Sequence, residues 1–210
     1  MTPQPSSTSS VSADADLVRF FDPAVGRTVV KLQPGQCYVT SDTGELISTL
    51  LGSCISACAY DPALGIGGMN HFMLPGANGG LRWGEAGRAA RYGVDAMEHL
   101  LNELFKAGAQ RQRLQVKLFG GARVIAGRLL VGERNISFAH HYLAVEGLRV
   151  AAEDVGEHCA RHIRFYPDTG RVQVRRLPMT QKPDIVETEQ AYGVRLMSDP
   201  LQGPIELFHS

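Results

Sequence analysis

Residues 55–74 hold two strand-like runs joined by a turn, and this constrains the fold more than any other segment. Ile55-Ser56-Ala57-Cys58-Ala59-Tyr60 is small and apolar, and Ile66-Gly67-Gly68-Met69-Asn70-His71-Phe72-Met73-Leu74 stops at Pro75. Between them stands Asp61-Pro62-Ala63-Leu64-Gly65. Its Pro presets one turn dihedral and its Gly tolerates positive φ. The expectation is a β-hairpin in which Tyr60 pairs with Gly65 across a four-residue loop. Paired positions then sum to a constant, so Cys54 falls opposite His71 with Cβ atoms about 5 Å apart on one face. A bulge in the glycine-rich second arm would move the register by one and exchange the faces.

A thiol and an imidazole at that range are the minimal unit of cysteine-nucleophile chemistry. Gly52-Ser53 precedes Cys54, so the backbone can bend there and aim amide N–H groups at an incoming carbonyl oxygen. His71 can take the thiol proton and later protonate a leaving group near neutral pH. Against this stand two plain readings. A buried cysteine is commonly a small hydrophobe, and His71 alone could be a core histidine on a backbone carbonyl. A third group that orients the imidazole would complete the set. Ser48 and Thr49 lie on the strand leading into Cys54. One of them faces the site and the other faces away, and alternation does not say which.

Other motifs carry less. Cys54 and Cys58 would share a strand face about 13 Å apart, too far to share a metal, and no second Cys/His pair with ligand spacing follows. Gly120-Gly121 follows a strand, but neither a Walker nor a dinucleotide fingerprint surrounds it, so a tight turn is the expectation. His140 and His141 read as surface or boundary residues. No cofactor and no metal is expected.

Residues 1–16, rich in Ser, Thr and Pro, bury too little to offset ordering and are expected to be disordered. Strands are expected over 36–40, 46–51, 114–119, 148–153, 162–166 and 172–177, beside the hairpin. The last two are joined by Pro167-Asp168-Thr169-Gly170. Helices are expected over about 86–106 and 134–146. In the first, Tyr92, Met97, Leu100, Leu101, Leu104 and Phe105 recur at helical spacing and Gly108 ends it. This is an α/β or α+β domain over residues 17–177, with mixed sheets and helices packed outside. Residues 178–210 form a C-terminal extension, read as an extended tail or a loosely docked arm. The glycine-rich loop at 76–80 is expected at the rim of the site.

At 210 residues the chain has length for one domain with flexible ends. Acidic and basic side chains balance at 21 each, so no global field favours nucleic acid or an anionic membrane. Arg161, Arg164, Arg171, Arg175 and Arg176 cluster in sequence and read as a solvated strand face. No apolar run reaches the ~20 residues that span a bilayer, and no secretory signal is visible. The expected compartment is the cytoplasm, where the four cysteines would stay thiols.

The motifs Leu51-Gly52-Ser53-Cys54, Gly68-Met69-Asn70-His71-Phe72-Met73-Leu74-Pro75 and Lys117-Leu118-Phe119-Gly120-Gly121-Ala122 resemble the CheD chemoreceptor glutamine deamidases. So do Gly132-Glu133-Arg134-Asn135, Ala152-Glu153-Asp154-Val155-Gly156 and the Arg91-Tyr92 helix, all in order over residues 36–177. The resemblance implies a layered fold of mixed β-sheets with outer helices, related to bacterial toxin deamidases. It implies hydrolysis of glutamine side chains in methyl-accepting chemotaxis receptors to glutamate and ammonia, through a thioester on Cys54 with His71 as its partner. The family's third group, a threonine six positions before the cysteine, maps onto Ser48, with Thr49 one residue off. Some members pair with the phosphatase CheC. The alternatives are another cysteine acyl hydrolase, or a non-catalytic adaptor that binds receptors or a phosphatase.

Overall fold

The turn Asp-Pro-Ala-x-Gly occurs twice, at Asp22–Gly26 and Asp61–Gly65, and builds a hairpin each time. In each copy the Asp carboxylate accepts from the amide two residues on, Ala24 or Ala63. In each, the Gly has left-handed φ, 69° at Gly26 and 63° at Gly65, a conformation glycine takes without a Cβ penalty. The ladder therefore closes on Asp and on the residue after Gly, Asp22 with Arg27 and Asp61 with Ile66. This corrects the expected register by two residues: Tyr60 pairs with Gly67, and the bridge Ile55–Phe72 continues that pairing. A shift of two preserves the faces. Cys54 and His71 thus share a face as diagonal rather than direct neighbours.

The structure, a computed structural model, describes residues 17–75, 85–123, 129–178 and 183–198. The expected disordered segment 1–16 and the expected rim loop 76–80 lie outside the described residues. The strands are β1 (Val18–Asp22), β2 (Arg27–Lys31), β3 (Cys37–Thr40), β4 (Glu45–Leu51), β5 (Ile55–Asp61), β6 (Ile66–Asn70), β7 (Gln115–Gly120), β8 (Val150–Val155), β9 (Cys159–Tyr166) and β10 (Arg171–Pro178). The helices are α1 (Glu85–Lys106), α2 (Leu129–Val145) and α3 (Pro183–Ser198). One sheet runs β1-β2-β4-β9-β10 and the other β3-β6-β5-β7-β8. Each carries one parallel pair, β2 with β4 and β7 with β8. Both sheets are mixed, as expected, and α1 and α2 cover the outer face of the second.

Alternation along β5 separates two cores. Ile55, Ala57 and Ala59 pack under α1 and α2 with Met97, Leu100, Leu101 and Leu104. Cys54 and Cys58 face the other way, into the space between the sheets, with Ile47, Leu51, Met69, Ile163 and Phe165. Cys54 therefore belongs to the inter-sheet core, and the connection Gly52–Cys54 carries the chain from β4 in one sheet to β5 in the other.

Two expectations need correcting here. Arg161 is no part of a solvated face: it is fully buried, with its guanidinium on Asp154 and on the carbonyls of Gly156 and Cys159. Of the two readings for the chain after 178, the extended tail gives way: residues 183–198 form α3, which docks through Ile185 and Tyr192.

Asp61 anchors the hairpin turn to the rest of the fold. Its buried carboxylate accepts from Arg113 Nε and Nη2 and from the amides of Gln110 and Ala63. The Arg113 hydrogen bonds hold the acid down at about 2. The folded state thus binds its proton less readily than the unfolded chain. The stabilisation is present above pH 4 or so and is lost as pH falls toward 2, about 2 kcal/mol in all. Asp61→Asn should lose a similar amount at neutral pH and flatten the acid limb, as read by urea unfolding at pH 7 and pH 3.

Candidate active site

Three backbone carbonyls fix the shape of the segment Gly52-Ser53-Cys54. The Gly52 oxygen accepts from Ala122 N at 2.7 Å, the Cys54 oxygen from Gly121 N at 2.7 Å, and the Ser53 oxygen from Asn135 Nδ2 at 2.7 Å. Asn135, fully buried on α2, also accepts from Leu74 N and so ties this segment to the chain just past His71. With the carbonyls held by the scaffold, the three amide N–H groups converge on the opposite side, a concave arrangement that binds anions.

Gly120-Gly121 makes this approach feasible. The pair holds the nucleophile segment and is no phosphate cradle. Gly120 has φ 109°, and a Cβ there would stand 2.3 Å from the Cys54 carbonyl oxygen. Gly121 has φ 66° and packs against Gly132 of α2, where a Cβ would meet the Gly121 oxygen at 2.3 Å. Gly120→Ala should cost about 2 kcal/mol or more from backbone strain alone and displace Cys54. A thermal shift together with lost activity would register both effects.

His71 enters from the end of β6. Its Nδ1 lies 2.7 Å from Thr49 Oγ1, and that hydroxyl donates to Leu32 O at 2.9 Å. A hydroxyl has one proton to give, so Thr49 accepts from Nδ1–H and the imidazole carries its lone pair on Nε2. Nε2 is buried and has no hydrogen-bond partner among the described residues. A ring nitrogen of His71, Cys54 Sγ and a Glu189 carboxylate oxygen all lie within 4.8 Å of one another. Nδ1 is engaged by Thr49, so Nε2 is the nitrogen left to receive the thiol proton.

Ser48 is placed elsewhere. Its hydroxyl donates to Ile163 O and lies 2.9 Å from His162 Nε2, on the outer face of the sheet beside a cavity of about 450 Å³ that also takes in Arg164 and Arg175. Of the two hydroxyls the sequence left open, Thr49 reaches His71. It shares the inter-sheet face with Ile47 and Leu51.

Glu189, on α3, is the residue sequence reasoning missed. Its Oε1 accepts from the amides of Gly52 (2.9 Å) and Cys54 (3.0 Å); its Oε2 accepts from Ser53 N (2.9 Å) and Ser53 Oγ (2.6 Å). Burial and the Glu189 charge push the Cys54 thiol well above its ordinary range. Burial pushes His71 down to about 4, with Glu189 pulling the other way. Both shifts favour a neutral thiol beside a neutral imidazole.

A thiolate, an imidazole and a carboxylate are donors zinc accepts. Glu189, however, already spends two acceptor positions on each oxygen, which fills a carboxylate. The arrangement fits anion binding beside a nucleophile better than it fits a metal cation. A cavity of about 240 Å³ reaches His71 between Leu32, Pro34, Ile185 and Glu189.

The family model for CheD chemotactic sensory transduction matches residues 73–176. A protein of Hydrogenovibrio crunogenus is 46% identical over 89% of this chain and 97% of its own length. One of Hahella chejuensis is 46% identical over 90% of each chain, and one of Rhodopseudomonas palustris 43% identical over 90% of this chain and 89% of its own length. Each of the three carries the description "Probable chemoreceptor glutamine deamidase CheD".

Proposed function

The chain belongs to the CheD family, and from that premise we propose that Cys54, His71 and Thr49 are the catalytic apparatus of a chemoreceptor glutamine deamidase working through a cysteine thioester. The observation that carries this reading is a His71 ring nitrogen within 4.8 Å of the Cys54 sulfur, with Nε2 unpartnered among the described residues and three amides converging next to it.

In the first step the thiol proton passes to His71 Nε2 while the sulfur adds to the substrate Cδ. The negative charge that develops on the amide oxygen is received by the amides of Gly52, Ser53 and Cys54. Each such donor contributes on the order of 3 kcal/mol to an acyl-transfer transition state. The imidazolium gives its proton to the departing nitrogen, and the C–N bond breaks to release ammonia. Water then adds to the thioester with its proton going to His71, and the C–S bond breaks to leave glutamate and the thiol. Thr49 keeps Nδ1 protonated through both halves, so the same nitrogen serves as base and acid. None of these steps requires a cofactor.

The four cysteines are free thiols, which suits a reducing compartment, and no helix among the described residues is long and apolar enough to cross a membrane. We place the enzyme in the cytoplasm, with chemoreceptors as substrates. The family resemblance adds a CheC-type phosphatase as a partner, which a pull-down with purified proteins tests. Incubation with a purified receptor cytoplasmic fragment tests the activity. Amide-to-acid conversion at defined glutamines, ammonia release and an intact backbone are expected; backbone cleavage or unchanged glutamines would overturn the reading.

A further inference from the structure

The carboxylate of Glu189 is buried, 4% exposed, and makes no salt bridge among the described residues. A fold seldom keeps such a group facing a thiol, because burying an unpaired charge is costly. Among the described residues its compensation comes from Ser53 Oγ and the three amides, the same amides that the proposed reaction uses for developing charge. A glutamate side chain is also what deamidation of glutamine leaves behind.

The helix that carries it is seated over the nucleophile. A Cβ on Gly52 would meet Ile185 Cγ2 at 2.9 Å and Glu189 Oε2 at 2.9 Å, so glycine at 52 makes room for α3. Three residues beyond Glu189, the Tyr192 ring lies against Gly35, its hydroxyl contacts that of Tyr92, and Gly193 passes close to Met73 Cε. Ile185, Glu189 and Tyr192 lie on one stripe of the helix at i−4, i and i+3, and all three are buried. Among the described residues two cavities open beside His71, of about 240 Å³ and about 360 Å³, and Cys54 lines neither. With this helix in place Cys54 is fully buried, and the three amides beside it are taken by Glu189.

We propose that α3 is an internal product-like ligand: it occupies the seat of the substrate helix, with Glu189 standing where the glutamate made from the substrate glutamine lies, so that receptor binds only after α3 leaves. The inference rests on the deamidase reading and adds to it a substrate form and a restraint. The substrate glutamine is presented on a helix, with an apolar side chain one turn before it and a second anchor three residues after it. The restraint is competitive, because one seat serves two helices. The raised thiol of the seated state fits this arrangement.

Glu189→Gln in the full chain tests it directly, since the substitution is isosteric and sets a carboxamide against Cys54. Self-conversion is expected: sulfur adds to Cδ, ammonia leaves, and water restores glutamate. Peptide mass spectrometry should find the acid at position 189, formed at a rate independent of protein concentration and absent when Cys54→Ala is combined with it. Glu189→Ala should in parallel lower KM for a receptor fragment by about tenfold, by removing the competitor's anchor. A wild-type protein that deamidates receptor, a Glu189→Gln chain that keeps its amide, and an unchanged or raised KM in Glu189→Ala would together overturn the inference and leave the deamidase reading standing. A folded Glu189→Ala that loses activity would overturn it too, by placing Glu189 in the machinery. Failure of the wild-type protein on every receptor fragment would instead strike the deamidase reading itself.

Discussion

Cys54→Ala should abolish glutamine deamidation in a receptor fragment, a loss on the order of 10⁴-fold or more in kcat, because the proposed acyl intermediate forms on its sulfur. Cys54 is completely buried in the inter-sheet core, yet only one sulfur atom is removed. The cost to stability should be about 1 kcal/mol, and the fold should survive. That separation makes the variant informative. An adaptor that acts by binding receptors or a phosphatase would keep its function without the sulfur, whereas an enzyme would bind and not convert. Ammonia release and receptor co-sedimentation, measured on the same preparation, distinguish the two.

The sequence pattern made the site legible in outline because two local rules governed it. Side chains alternate in direction along an extended chain, which put Cys54 and Cys58 on one face. The Asp-Pro-Ala-Leu-Gly turn fixed the return strand to within an even number of residues, so the faces were right although the register was off by two. The same turn at Asp22–Gly26 carries an equal signal for the β1–β2 hairpin, which is absent from the expected strands. Local rules do not reach further. The apolar residues Leu46, Ile47, Leu50 and Leu51 flank Ser48 and Thr49 on both faces, so periodicity could not choose between the hydroxyls. The choice is made by packing: Ile47 and Leu51 turn into the inter-sheet core, and Thr49 goes with them.

Glu189 was hidden for a different reason. Its partners are backbone amides more than 130 positions earlier in the chain, and amides carry no side-chain signature. The helix itself was readable. Pro183 at its first position, then Ile185, Tyr192 and Leu196 at helical spacing, is an N-terminal proline followed by an apolar stripe. Arg161 likewise reads as exposed from composition, and only the Asp154 carboxylate and two carbonyls in its surroundings make its burial tolerable.

Thr49→Val should lower kcat by about 10- to 100-fold with KM little changed, while Ser48→Ala should stay within about twofold of wild type. Valine keeps the shape of threonine and removes only the hydroxyl. In its absence Nδ1–H of His71 loses its acceptor, and the ring is free to place its proton on Nε2, the nitrogen that must receive the thiol proton. The Leu32 carbonyl, which the Thr49 hydroxyl now satisfies at 2.9 Å, would also be left short of a donor. Some loss of stability, about 1 kcal/mol, should therefore accompany the loss of rate. Thr49→Ser provides the control, since it restores the hydroxyl and should recover most of the activity. Rescue by serine at 49, set beside indifference to alanine at 48, is a pattern that general destabilisation of β4 would not produce. The reverse pattern, with Ser48→Ala inactive and Thr49→Val unaffected, would give the orienting role back to the residue that the family spacing selects and take it from the one in contact with the imidazole.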